Sequence, residues 1–153
     1  LDNINTAGQP KYCTNLRVNS ILSYKLSEVP EGVNITYDVK VPEELDVDYS
    51  DLGVIIGNLI DNSKHAVSRV LENNMDAYID IKLICHADNI VFIIKNNYIN
   101  TPEARTIDYY KNHGRGIGSV RKIIKKYDGM YDVKKTEYEY VTSVSVGVRN
   151  MRM

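Results

Sequence analysis

The feature that most constrains the fold is a long amphipathic stretch that begins near Ser50 or Asp51, two residue types that favour helix N-caps. Apolar side chains recur there at three- and four-residue spacing and form one broad face: Leu52, Ile55, Ile56, Leu59, Ile60, Ala66, Val67, Val70 and Leu71. This spacing predicts a long helix with one buried side. The acidic residues 43–48 before it indicate a solvated connection rather than a metal site.

Helix and strand patterns alternate around this stretch. A shorter helical pattern lies at 15–29, and strand patterns lie at 33–41, 77–86 and 90–96. After an aperiodic segment come a further helix, which ends at Tyr127, and two last strands. This order predicts an α/β fold with a mixed sheet and helices packed on one face.

Composition limits the class of protein. The chain has 153 residues, of which 43% are hydrophobic and 25% charged, as is typical of one globular domain. A net charge of −1 gives no general electrostatic case for nucleic acid. Cys13 and Cys85 are too few for a disulfide framework, and no apolar run has the length of a membrane span. Because the chain begins with Leu1, we expect a domain of a longer protein, with a linker remnant at 1–14 and the domain at 15–153.

Glycines precede the last helix in the run Asn-His-Gly-Arg-Gly-Ile-Gly, residues 112–118. Glycine lets backbone N–H groups approach a negative group closely, so Gly114, Gly116 and Gly118 indicate a phosphate cradle at a helix N-terminus. A loose loop that ends at a helix is the alternative. His113 is placed to touch a phosphate or close a lid, or else to anchor the loop. The aperiodic segment 97–113 is long enough for a lid or a binding loop.

Polar residues form a stripe beside the apolar face of the long helix, at Asn58, Asn62, His65 and Arg69. Asparagine amides can hold Mg²⁺ together with its waters, or orient a phosphate. A solvated polar face is the alternative. Combined with the glycine run, the stripe predicts a nucleotide-phosphate site. It is not a Walker-type loop, because no Gly-Lys-Ser/Thr follows the glycines.

Two segments carry a family resemblance. LGVIIGNLIDNSKHA (52–66) resembles the N box of the GHKL ATP-binding superfamily. NHGRGIGSVRKIIKKYDG (112–129) resembles the second glycine box of its histidine-kinase branch, particularly the peptide-quorum-sensing type. The resemblance covers nearly the whole chain. It implies a two-layer α/β sandwich of the Bergerat type, with ATP between the helices under a mobile lid.

The resemblance also implies roles on the long helix and the glycine run. Asn62 matches the asparagine that coordinates Mg²⁺, and Asn58 stands where hydrolysing relatives carry a glutamate. Because an amide cannot take up a proton, Asn58 favours a kinase over an ATPase. His65 stands where many kinases direct a lysine or arginine to the phosphates. Gly114 and Gly116 match the Gly-x-Gly of the second box, and Gly118 is an addition.

The adenine contact departs from the superfamily pattern. Most members carry Asp-x-Gly-x-Gly, whose aspartate accepts from the adenine amino group, whereas this chain reads IIKNNYIN. Asn96 is the residue that matches, and its amide oxygen is able to accept the same hydrogen bond. Asn97, one position further on, is an alternative candidate for this contact with adenine. A strand-ending asparagine bonded to its own backbone is the alternative for Asn96.

Together these features predict the ATP-binding catalytic domain of a bacterial two-component sensor histidine kinase, with ATP and Mg²⁺ as ligands. None of His65, His86 and His113 lies in an acceptor helix, so we expect the γ-phosphoryl group to go to a histidine on a separate upstream dimerisation domain. The expected partners are those acceptor helices and a response regulator, with no nucleic acid. We expect a cytoplasmic domain in a homodimeric, membrane-anchored parent. An anti-sigma-factor serine kinase and a non-catalytic, degenerate GHKL module are the alternatives.

Overall fold

The secondary structure follows the order expected from the sequence. The computed structural model describes residues 11–100 and 116–151. In chain order the described elements are α1 (Leu16–Ser27), β1 (Val33–Lys40), α2 (Tyr49–Glu72), β2 (Ala77–His86), β3 (Asn89–Asn97), α3 (Gly116–Lys126), β4 (Met130–Lys135), β5 (Glu139–Gly147) and a short 3₁₀ helix (Val148–Met151). The predicted α/β class is confirmed.

The strands form one mixed, five-stranded sheet in the order β1-β2-β3-β5-β4. β1 and β2 run parallel and are connected through α2, whereas the other neighbouring strands are antiparallel. Side chains alternate along each strand, and one set is buried. On β2 and β3 the apolar members of this set are Ala77, Ile79, Ile81, Leu83, Ile90, Phe92 and Ile94. The helices pack on that face, as the sequence predicted.

Helix α2 begins earlier than predicted. It starts at Tyr49, because the N-cap is Asp48 rather than Ser50 or Asp51. The Asp48 carboxylate accepts hydrogen bonds from the backbone N–H groups of Ser50 (2.9 Å) and Asp51 (3.2 Å). The end of the acidic run therefore satisfies the first turn of the helix. The spacing did not reveal this, since Ser50 and Asp51 are equally good N-cap types.

An ion pair fastens α1 to α2. The Lys25 ammonium lies 3.1 Å from the Asp61 carboxylate, with both side chains about a quarter to a third exposed, at 26% and 32%. The lysine passes over Gly57, where an added Cβ would lie 3.0 Å from Lys25 Cε. A side chain at Gly57 would therefore require the flexible end of the lysine to shift slightly.

A second polar contact fastens α3 to the start of α2. The Tyr127 hydroxyl and the Lys126 ammonium both donate to the Asp51 carboxylate, the latter at 3.0 Å. The hydrogen bond from Tyr127, more than the nearby Lys126, holds the pKa of Asp51 below its usual value. The contact therefore fastens the C-terminal end of α3 to the first turn of α2.

The chain before α1 contacts the domain. The backbone N–H groups of Tyr12 and Cys13 donate to the Asn19 side-chain oxygen, at 2.6 and 3.3 Å. The Tyr12 ring packs edge-on against Tyr37, with the ring centroids 4.8 Å apart. Residues 1–10 lie outside the described part of the chain, and the boundary after residue 14 stays a prediction.

Candidate nucleotide site

The polar stripe of α2 meets the first turn of α3. The Asn58 side-chain nitrogen donates to the Val54 carbonyl at 2.8 Å, and its oxygen Oδ1 lies beside Gly116. A Cβ added to Gly116 would be 3.1 Å from Oδ1, closer than such contacts usually are. The absence of a side chain therefore permits this approach. At Gly118 an added Cβ would meet nothing within 4 Å, so the second glycine faces open space.

Asn62 and His65 continue the stripe along α2. Asn62 is half-buried one helical turn after Asn58, and His65 is exposed. Across 11–100 and 116–151, no group of three or more His, Cys, Asp or Glu side chains is placed to hold a metal ion. A metal at this position would depend on an amide oxygen, waters and substrate phosphates, the coordination that Mg²⁺ favours. The Asn62 amide suits that chemistry. His113 and Gly114 lie outside the described residues.

Asn96 is buried at the end of β3, where only 3% of it is exposed. Its oxygen Oδ1 accepts a hydrogen bond from the Ser63 hydroxyl at 2.9 Å, and its nitrogen Nδ2 donates to the Asn97 carbonyl at 2.9 Å. One bond thus reaches across to α2 while the other is local. The side chain therefore contributes a polar group to the layer between α2 and the sheet.

Asn97 is placed differently. Its Oδ1 accepts from the Tyr78 backbone N–H at 3.0 Å, and its Nδ2 donates to the Asp76 carbonyl at 2.7 Å. Because strand side chains alternate, it does not share the buried face of Asn96. Of the two asparagines, the structure brings only Asn96 against α2, and Asn97 holds the start of β2.

Two buried polar residues were missed from the sequence. Ser63 is 3% exposed and Thr142, on β5, is 5% exposed. Thr142 pairs with Ile94, two residues before Asn96, and lies on the same buried face. A signal existed for both: each is a small polar residue at a position where the spacing calls for an apolar one. Nothing in the spacing identified Asn96 as the partner of Ser63.

The segment after β3 is fastened at its beginning. The Tyr98 backbone N–H donates to the Tyr138 carbonyl at 3.1 Å, and its hydroxyl donates to the Thr136 carbonyl at 2.6 Å. Its ring also packs edge-on against Tyr140. The predicted lid or binding loop, 97–113, thus starts from an anchored residue. Residues 101–113 lie outside the described part, and the lid stays a prediction.

A family match identifies the class of protein to which this fold belongs. The sequence matches the GHKL domain family HATPase_c_5 over residues 47–147, and the chain belongs to this family. That range holds α2, α3 and the strands that carry Asn96 and Thr142. GHKL domains bind ATP, so membership implies the same ligand here. No sequence among curated proteins matches the chain.

Solved structures with the same fold include several histidine kinase domains. The histidine kinase domain of the Erythrobacter litoralis EL346 blue-light activated histidine kinase has a TM-score of 0.66 at 10% identity, over 94% of this chain and 68% of that chain. The nucleotide-free catalytic domain of histidine kinase ThkA has a TM-score of 0.66 at 12% identity, over 89% of this chain and 94% of that chain. Acinetobacter baumannii histidine kinase AdeS has 0.61 at 14%, over 87% of this chain and 64% of that one. At these identities the likeness establishes the fold.

None of the described helices has the length and apolar character needed to cross a membrane.

Proposed function

We propose that this chain is the catalytic domain of a bacterial sensor histidine kinase of the peptide-quorum-sensing type. It transfers the γ-phosphoryl group of ATP to a histidine on a separate dimerisation domain of its parent. One observation carries the proposal above all: Asn58 Oδ1 lies against Gly116, at the first turn of α3. Phosphates at this junction would meet both the α2 amides and the backbone N–H groups of a helix N-terminus.

The adenine base lies at the other end of the site, against Asn96. After accepting from Ser63, Asn96 Oδ1 keeps a second lone pair, which accepts from the adenine amino group. We assign this role to Asn96 and not to Asn97, because the Asn97 side chain does not share the buried face that packs against α2. Thr142, on the same buried face as Asn96, adds a hydroxyl to this end.

The phosphate end holds the metal and the remaining contacts. Asn62 holds Mg²⁺ through its amide oxygen, and the ion, when bound, offsets the negative charge of the β- and γ-phosphates. Gly114, Gly116 and Gly118 supply backbone N–H groups, and His65 and His113 are the side chains proposed to reach the phosphates. Asn58 completes this end by contacting Gly116.

Transfer rather than hydrolysis follows from the chemistry of Asn58. An amide cannot accept a proton near neutral pH, and the Asn58 nitrogen already donates to Val54. Asn58 therefore cannot activate a water molecule as a general base. We expect the domain to hydrolyse ATP slowly and to depend on positioning of the acceptor histidine for catalysis. The parent supplies that histidine on its dimerisation helices. We propose a homodimeric, membrane-anchored parent, with this domain on the cytoplasmic side, that passes the phosphoryl group to a response regulator.

Labelling with [γ-³²P]ATP tests this function. Three samples are compared: the domain alone, the dimerisation helices of its parent alone, and the mixture. We expect acid-labile phosphohistidine on the helices in the mixture only, with slow ATP hydrolysis by the domain alone. Rapid hydrolysis by the domain alone would identify an ATPase. ATP binding without label in the mixture would leave the non-catalytic module, and label that is stable to acid, as phosphoserine is, would identify a serine kinase.

A further inference from the structure

The orientation of the Asn96 amide is fixed from both sides. The Asn97 backbone carbonyl carries no proton, so it can only accept, and the amide turns its NH₂ group toward it. The oxygen then faces Ser63, whose single hydroxyl proton is donated to it. Asn96 and Ser63 are each only 3% exposed, so bulk water competes poorly for either bond.

Ser63 differs from the other helical serines with described hydroxyl bonds. Ser20 in α1 and Ser68 in α2 donate to the carbonyl four residues earlier in their own helix, at 2.9 and 2.7 Å, and Ser27 at the end of α1 donates to the carbonyl three residues earlier, at 2.6 Å. This local bond is the common behaviour of serine inside a helix. Ser63 instead donates across the core to a side chain on β3, 33 positions away. Its hydroxyl therefore links α2 to Asn96 and does not stabilise its own helix turn.

We propose that Ser63 is a positioning residue for base specificity, an inference that rests on the proposed function. Held by Ser63 and by the Asn97 carbonyl, the Asn96 amide keeps its NH₂ group on the Asn97 side, and on the Ser63 side it offers the base the remaining lone pair of Oδ1, an acceptor. A freely rotating amide could turn its NH₂ group outward and serve a 6-oxopurine equally well. The fixed amide accepts from the 6-amino group of adenine, and it opposes the 6-oxo group of guanine or hypoxanthine with another acceptor. The site therefore selects 6-aminopurine nucleoside triphosphates.

The test compares ATP with inosine triphosphate, which carries the 6-oxo group and N1–H but is otherwise the same molecule. Dissociation constants for both, with Mg²⁺, are measured by isothermal titration calorimetry on the wild type, Ser63→Ala and Ser68→Ala. We expect the wild type to bind ATP about ten- to a hundredfold more tightly than ITP, because the 6-oxo group of ITP would face the Asn96 oxygen and leave both acceptors unpaired. In Ser63→Ala the amide keeps one anchor and can rotate. The ATP/ITP ratio should then fall about fivefold or more.

The matched control and a second variant separate positioning from a general structural effect. Ser68→Ala removes a hydroxyl from the same helix, and the ATP/ITP ratio should stay at the wild-type value. A general structural defect in Ser63→Ala would weaken the binding of ATP and of ITP by the same factor. The ratio of the two affinities would then be unchanged, and that result would overturn the inference. Should Ser63→Ala fail to fold, Ser63→Cys keeps a similar volume with a much weaker donor, and it should lower the ratio in the same direction.

The outcomes also distinguish the inference from the function on which it rests. A wild type that binds neither triphosphate would refute the proposed function and the inference together. A wild type that binds ATP, with Ser63 variants that keep its full preference over ITP, would refute the inference alone. A reduced ratio in Ser63→Ala and a wild-type ratio in Ser68→Ala would support both.

Discussion

The two ends of the candidate site are built in opposite ways. At the base end, Asn96 is 3% exposed and both of its side-chain polar atoms are hydrogen-bonded within the protein. At the phosphate end, Asn58 is half-buried with one side-chain bond to its own helix, and it faces a glycine that only just leaves room for it. The proposed base end is therefore held by side-chain hydrogen bonds, whereas the proposed phosphate end places the Asn58 amide against the first turn of α3.

This difference matches what each part of a nucleotide offers. A base is recognised by the direction of one or two hydrogen bonds, so its receptor gains from side chains that cannot turn. A triphosphate is a flexible, highly charged group that accepts hydrogen bonds from any side, so backbone N–H groups and a metal ion suffice. We therefore expect substitutions at the two ends to weaken nucleotide binding for different reasons. At the phosphate end they would remove contacts to the metal ion or the backbone, and at the base end they would misplace a buried polar group or leave it unpaired.

The largest expected effect is at the phosphate end. Asn62→Ala removes the proposed Mg²⁺ ligand and should weaken Mg-ATP binding on the order of 10- to 100-fold, whereas Asn62→Asp should retain part of the binding because a carboxylate oxygen also suits Mg²⁺. Calorimetric titration measures both variants, with Mg²⁺ and with a chelator.

The chelator makes this test specific. The affinity of Asn62→Ala should be nearly the same with and without Mg²⁺, unlike that of the wild type. Asn34→Ala, at an exposed position of β1, serves as the control and should bind as the wild type does. An unchanged Mg-ATP affinity in Asn62→Ala would remove Asn62 from the site.

The next largest effect is at the base end. Asn96→Asp brings the residue found in most of the superfamily, yet here one carboxylate oxygen would face the Asn97 carbonyl, which can only accept. Burial without a donor raises the pKa of a carboxyl group. The variant should therefore lose roughly 1–3 kcal/mol of stability near neutral pH and bind ATP more weakly.

The sign of the pH dependence is specific to this mechanism. A raised carboxyl pKa in the folded state leaves stability intact below the unfolded value of about 4, and stability is lost as the pH rises through the folded pKa. Urea unfolding of Asn96→Asp at pH 4.5 and pH 8 checks this against the exposed control Asn34→Asp. Equal losses in the two variants at pH 8 would show that the Asn97 carbonyl does not oppose a carboxylate.

The arrangement at the proposed phosphate end could be predicted in part from the sequence, because Asn58 and Asn62 lie on one face of a regular helix. The glycine run was expected to precede the last helix, but Gly116 and Gly118 already lie in the first turn of α3. That these two features touch, through Asn58 and Gly116, needed the structure, since the helices meet through tertiary packing.

The base end was less predictable, because its contacts depend on strand register. Asn96 continues the buried alternation of Phe92 and Ile94, so its direction could be read from period two once the strand was assigned. Its bond to Ser63 could not, because it joins a helix and a strand whose relative position is set by the whole core. The Asp48 N-cap was missed for a more local reason, namely three adjacent candidates of similar propensity.

The two glycines of α3 should respond differently to alanine in the protein without nucleotide. At Gly118 the space for a Cβ is open, so Gly118→Ala should raise the free energy of unfolding by about 0.5–1 kcal/mol. At Gly116 the Cβ would meet Asn58 Oδ1, so Gly116→Ala should gain less or lose stability. Urea unfolding measures both.

Nucleotide affinity gives a second test of Gly116. Gly116→Val should weaken Mg-ATP binding about tenfold, because a β-branched side chain blocks the approach of phosphate to the backbone. Gly129→Val is unsuitable as a control, since its Cβ would lie 2.7 Å from the Ser145 carbonyl. Gly53, where an added Cβ makes only ordinary contact with Ile21 at 3.5 Å, is the matched position, and Gly53→Ala should keep the wild-type affinity.

The smallest effect concerns the contact that fastens α3 at its far end. Asp51 accepts from Tyr127 and Lys126, and chiefly the Tyr127 bond lowers the pKa of the Asp51 carboxyl group. A lowered carboxyl pKa stabilises the fold above the unfolded value of about 4, and that stability is lost as the pH falls through the folded pKa. Asp51→Asn should therefore lose about 1 kcal/mol or less at pH 7, and the difference from the wild type should shrink toward pH 3.

Measuring the Mg-ATP affinity of Asp51→Asn then shows whether the contact of Asp51 with Tyr127 and Lys126 influences nucleotide binding. The Asp51 contact holds the C-terminal end of α3, a helix of 11 residues, whereas Gly116 and Asn58 meet at the other end. Unfolding curves from pH 3 to pH 7 give the stability difference, with Asp132→Asn on the exposed side of β4 as the control. Mg-ATP affinity should change less than twofold, because the Asn58–Gly116 contact and the Asn96 amide are both left in place. A large loss of affinity in Asp51→Asn, without a matching loss of stability, would mean that the phosphate end depends on how α3 is seated as a whole and not on its first turn alone.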